Sequence, residues 1–107
     1  MTTDGATQVR DQAASATELG KRYHLFLLDD SDHTYQYVVE MLGRIFGYGK
    51  EKAFAIAAVV DGHGRAVVET AARDQVLRHQ RRIHAYGADP RLQQSQGSMS
   101  AILEEAP

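Results

Sequence analysis

The chain of 107 residues has no cysteine, no tryptophan and only two prolines. Without cysteine it cannot form disulfides or thiolate-based zinc sites, and nothing in it points to secretion. It also lacks a long apolar run: no stretch approaches the ~20 residues that a membrane helix needs. Met1 is followed by Thr, Thr and Asp rather than an apolar segment, so no signal peptide is expected. A strong charge of either sign is missing too. A formal net charge of -2 argues against a general nucleic-acid binder, which is ordinarily basic. These absences predict a soluble, cytoplasmic, single-domain protein with neither a membrane nor a nucleic acid as partner.

Catalytic and cofactor signatures are equally scarce. No Ser-His-Asp or Cys-His arrangement is suggested, and no glycine-rich phosphate loop follows a strand. His79 and His84 are five apart, so they share a helix face poorly for a zinc pair. "DDSDHT" lacks the glycine and distal glutamate of a calcium loop. His33, near Asp29, Asp30 and Asp32, is a weak candidate for a divalent metal, so the expectation is no metal and no cofactor.

Residues 1–20, "MTTDGATQVRDQAASATELG", carry few large apolar groups and read as a flexible arm. Residues 21–107 form the domain. "YHLFLLDD" is the first strand. Tyr35, Val38, Val39, Leu42, Ile45 and Phe46 recur every three or four residues, the apolar stripe of a helix that Gly47 stops. "KEKAFAIAAVV" gives a second helix with Ala53, Ile56, Ala57 and Val60 on one face, and "DGHG" after it reads as a tight turn. "RAVVET" is a strand. A third helix covers roughly 72–86, with Val76, Ile83 and Tyr86 on one side and Asp74 placed to pair with Arg78 four residues on. "ADPRLQQSQG" is a polar connection, and "SMSAILEEA" is the last strand. The order β-α-α-β-α-β indicates an α+β fold, a small three-stranded antiparallel sheet packed with three helices.

One stretch stands out. "LLDDSDHT" places Asp29, Asp30 and Asp32 between a strand and a helix. Aspartate there ordinarily serves a turn or a cap. Asp32 and Thr34 are both placed for that task, which leaves Asp29 and Asp30 freer for a site. Asp61 lies near a helix C-terminus, where the dipole disfavours a negative charge.

From Tyr23 to Tyr86 the chain resembles the ClpS family, adaptors of the Clp protease. "LFLLDDSDHTYQYVVEML" follows the family's strand, acidic turn and helix without a gap, Phe46-Gly47-Tyr48 matches its Phe-x-Tyr, and Gly64-Arg65-Ala66 matches its turn into the second strand. The resemblance implies an adaptor without catalytic activity. It would bind the N-terminal residue of substrate proteins or peptides (an N-degron) and deliver them to a AAA+ unfoldase. By position, the acceptors for the terminal amine fall on Asp29, Asp30 and Asp61, and the hydrophobic pocket on Tyr35, Val38, Ala57 and Val60. The unfoldase contacts fall on Asp74 and His79. Asp29 and Asp61 stand where the family has Asn and His, so the alternative is a ClpS-like interaction module that does not read N-termini.

Overall fold

A computed structural model of the chain describes residues 20–107; the arm expected at the N-terminus lies outside these, apart from Gly20. The elements follow the order β1 (Tyr23–Leu28), α1 (Tyr35–Phe46), α2 (Lys50–His63), β2 (Arg65–Ala71), α3 (Arg73–His84) and β3 (Ala101–Glu105). The fold is α+β. The sheet is antiparallel, in the order β2-β1-β3, so the first strand is the central one.

Side chains alternate across the sheet. Leu25 and Leu27 of β1 are fully buried, and Leu27 lies opposite Ala66 on one side and Ala101 on the other. That row carries the helices. On the reverse face Phe26 lies opposite Val67 and Ile102. The Arg65 guanidinium sits 3.9 Å over the Phe26 ring and pairs with Glu104 at 2.7 Å, so a charged lid covers part of the open face.

Helix α1 buries Tyr37, Val38, Met41, Leu42 and Ile45. This is a stripe rotated from the expected one. Tyr35 points outward, and Tyr37 is 1% exposed because its hydroxyl can donate to the Gly87 carbonyl at 2.6 Å. Thr34 caps the helix by accepting from the Tyr37 amide at 3.1 Å. Helix α2 turns Ala53, Ala57 and Val60 inward, as the alanine spacing predicts, and the small side chains let it lie close to α1. Its outer face is unexpectedly apolar, with Phe54 and Val59 exposed.

Two boundaries differ from the sequence reading. The expected turn "DGHG" is mostly helix: α2 continues to His63 and ends at Gly64, whose φ of 86° allows its amide to reach the Val60 carbonyl. Asp61 is therefore in the last helical turn. Helix α3 is shorter than 72–86 and is flanked by Ala72 and Ala85. Asp74 and Arg78 form no ion pair among the described residues. Asp74 instead lies in the first turn of α3, where the helix dipole favours an acid.

Candidate functional site

The site forms where three chain segments meet at the end of the central strand. The Leu28 amide donates to the Ser100 carbonyl at 3.0 Å, and the Asp29 amide donates to the Gly64 carbonyl at 2.9 Å. The first bond joins β1 to the approach of β3. The second fixes Asp29 beside the C-terminus of α2, and so beside Asp61.

The turn after Asp29 is built by Asp30. Its Oδ1 accepts from the Asp32 amide at 2.9 Å and lies 2.7 Å from His33 Nδ1. Thr34 caps the helix, one of the two candidates the sequence offered; the correction is that Asp30 closes the turn and Asp32, the other candidate, gives it an amide and no cap. An aspartate immediately after a strand is at the right reach for an Asx turn. Asp29 and Asp30 are both exposed, and of the two Asp29 has no hydrogen-bonded side-chain partner among the described residues.

Tyr35, the first residue of α1, spans the mouth. Its hydroxyl donates to Asp61 Oδ2 at 2.8 Å. That bond raises the phenol pKa above its ordinary value, with burial and the charges of Asp61 and Asp29 adding to it. Beneath it is a cavity of about 60 Å³ lined by Asp29, Asp30, His33, Thr34, Tyr35, Val38, Ala57, Val60, Asp61 and Met99. Every residue named from the sequence for the amine site or the pocket lines this single cavity. Its rim carries carboxylates, and its floor is Val38, Ala57, Val60 and Met99, each at most 5% exposed. Such an arrangement can accept hydrogen bonds from a cation at the rim and cover a small apolar group beneath. Among the described residues, no group of three or more His, Asp or Glu side chains is arranged to hold a metal ion.

Three contributors were not assigned to this site from the sequence. Met99 reaches the floor from just before β3. The His33 side chain is 4% exposed, packs its ring 4.5 Å from that of Tyr37, and places Nε2 2.7 Å from the Gly97 carbonyl. Asp89, 1% exposed, supports the wall from behind. Its Oδ2 accepts from both the amide and the hydroxyl of Thr34 at 2.7 Å, and its Oδ1 accepts from the Arg91 amide at 3.0 Å and guanidinium at 3.1 Å. Burial alone would push the Asp89 pKa up; these four hydrogen bonds outweigh it and hold the carboxyl at about 2. A polar loop reading hid this residue, because composition cannot show that a loop folds back over a helix start.

The two expected unfoldase contacts are not part of the cavity. Asp74 is exposed on α3. His79 is turned inward: Nδ1 lies 2.7 Å from Glu69 Oε1, and the Phe46 ring meets it edge-on at 4.7 Å.

A family model for "ATP-dependent Clp protease adaptor protein ClpS" matches residues 18–92. The chain belongs to the ClpS family. Among curated ClpS adapter proteins, that of Nocardia farcinica is 31% identical over 86 residues, covering 77% of this chain and 81% of the relative. That of Neisseria meningitidis serogroup B is 43% identical over 54 residues, covering 50% of this chain; the match spans 54% of that relative's length. Among solved structures, Agrobacterium tumefaciens ClpS2 bound to L-phenylalaninamide superposes with a TM-score of 0.69 at 19% identity, covering 80% of this chain and 98% of that one. At that identity the likeness establishes the fold. Family membership makes the chain an adaptor of the Clp protease and not an enzyme. No helix among the described residues is long and apolar enough to cross a membrane.

Proposed function

We propose that this ClpS protein binds the free N-terminus of substrate proteins in the Asp29–Asp61 cavity and delivers them to a AAA+ unfoldase of the Clp protease in the cytoplasm. The observation that carries this reading is the convergence of Asp29, Asp30, Asp61, Tyr35, Val38, Ala57 and Val60 on one cavity, although they come from a turn and two helices. A protonated α-amine offers three donors and a charge, and the rim offers the carboxylate acceptors of Asp29, Asp30 and Asp61. Asp29 is the outer contact, Asp61 the second, and the free oxygen of Asp30 the third. The first side chain then points to the apolar floor. Acetylation removes the charge and two donors, so a blocked terminus loses the interaction. Asp74, exposed on α3, is the residue proposed to face the unfoldase, and the inward-turned His79 contributes to that surface by holding Glu69.

Calorimetry tests the reading with peptides beginning in Phe, Leu, Trp, Tyr, Ala or Arg, each free and acetylated. Free peptides should bind and acetylated ones should not. Asp29→Ala should weaken binding by about 10- to 30-fold, the scale of one charge-assisted hydrogen bond, while Arg81→Ala leaves it unchanged. If free and acetylated peptides behave alike, the reading is wrong. The small cavity favours a second reading, an interaction module that does not read N-termini. Retention of the unfoldase in a pull-down, with no response to any peptide, selects it.

A further inference from the structure

Tyr35 stands between two spaces. On its inner side is the 60 Å³ cavity. On its outer side is a groove of about 330 Å³ lined by Tyr35, Gln36, Val39, Glu40, Lys50 and Phe54. The ring is not locked into the core. It is 36% exposed and leans on Phe54, itself 55% exposed, with ring centroids 5.2 Å apart and planes tilted by 55°. The polar contact holding it over the cavity is the 2.8 Å bond from its hydroxyl to Asp61 Oδ2.

Volume sets what that position allows. A water takes roughly 30 Å³ in the liquid, so the inner cavity holds the equivalent of about two. Pockets for drug-sized ligands begin near ~300 Å³. A methyl group fits beneath Tyr35 where it stands, whereas an isobutyl or benzyl group does not. The ring must move for a bulky first residue to enter, and the outer groove has the room to receive it.

Asp61 links that movement to the amine. It is the acceptor of the Tyr35 hydroxyl, and on the reading above it also receives the terminal ammonium. A cation with several donors competes for that carboxylate with a neutral phenol, and the charged donor is the stronger partner. We propose that Tyr35 is a latch: a free amine docking on Asp61 releases the hydroxyl, the ring turns into the outer groove, and the cavity opens to the first side chain. This inference rests on the N-terminus-binding reading. A small first residue needs no movement of the ring and binds whether the latch is shut or released, a bulky one binds only after release, and a blocked terminus does not trigger it. The released phenol regains water as a partner, so its contribution to selectivity is several-fold and not hundreds-fold.

The test compares the intact protein with Tyr35→Phe, which keeps the ring and removes the hydroxyl. Peptides identical except for Ala, Leu or Phe at the first position are titrated by calorimetry. Leu and Phe peptides should bind about five- to tenfold tighter to the variant, with the Ala peptide changing less than about twofold. An unchanged Leu-to-Ala ratio overturns the latch while leaving N-terminal recognition standing. Failure of every peptide to bind either protein overturns both. A second measurement follows the phenol directly by carbon NMR of labelled tyrosine. At pH 7, saturation with a free-amine peptide should shift the Tyr35 Cζ resonance as the hydroxyl leaves Asp61, and a resonance that stays in place under saturation overturns the latch.

Discussion

Replacing Asp89 with asparagine tests whether one loop carboxylate holds the wall of the site. Four donors converge on Asp89: the amide and hydroxyl of Thr34 on Oδ2, and the amide and guanidinium of Arg91 on Oδ1. Asparagine offers one acceptor oxygen and one donor group, so whichever way its amide faces, at least one buried N–H of the four meets another donor. Each orphaned buried donor costs about 1–3 kcal/mol, and the neutral side chain recovers part of that by being easier to bury. A net loss of about 2–3 kcal/mol follows, or roughly 10 °C in Tm for a domain of this size. Urea unfolding of the two proteins at pH 7, 5 and 3 is the assay.

The pH series adds a sign. The folded carboxyl sits at about 2 against an ordinary 3.8. A depressed folded value stabilises fully above the unfolded pKa and is lost as pH falls through the folded one. It is worth about 2 kcal/mol at neutral pH, and roughly half of that is gone at pH 3. The gap between wild type and Asp89→Asn should therefore match at pH 7 and 5 and shrink by about 1 kcal/mol at pH 3. A gap under 0.5 kcal/mol at neutral pH, or one as wide at pH 3 as at pH 7, would refute the reasoning.

Two further outcomes are expected. Gly64→Ala places a side chain at a φ of 86° and should cost about 1 kcal/mol in thermal unfolding, while shifting Asp61 enough to weaken peptide binding. Ala57→Leu adds three carbons to the floor of a 60 Å³ cavity. It should abolish peptide binding for about 1–3 kcal/mol of stability, measured by calorimetry beside urea unfolding.

Local signals made much of this molecule legible. The bulky run of β1 between polar residues, the alanine spacing of α2 and the glycine after α1 each dictate an element through short-range physics, and the elements formed. The stripe of α1 was misjudged because periodicity cannot separate Tyr35 from Tyr37. What decides it is a carbonyl at Gly87, fifty positions away, that satisfies the buried hydroxyl. The acidic turn was legible as a candidate site through its family likeness, but the division of labour inside it was not. Asp30, Asp32 and Thr34 all suit capping, and only the actual path of the turn assigns the task. Asp89, His33 and Met99 stayed hidden for a common reason: their roles arise from the long connection after α3 folding back across the start of α1, which no local pattern encodes.

The joining of the Leu28 amide to the Ser100 carbonyl has a consequence for biosynthesis. The cavity takes its aspartates from positions 29, 30 and 61 and Met99 from just before β3, and the Gly97 carbonyl holds His33 on its wall. Contacts so distant in sequence carry a large loop-closure entropy before they reward folding. A nascent chain still lacking β3 has the carboxylates but not the chamber, so on the proposed function it could not yet hold a substrate's N-terminus.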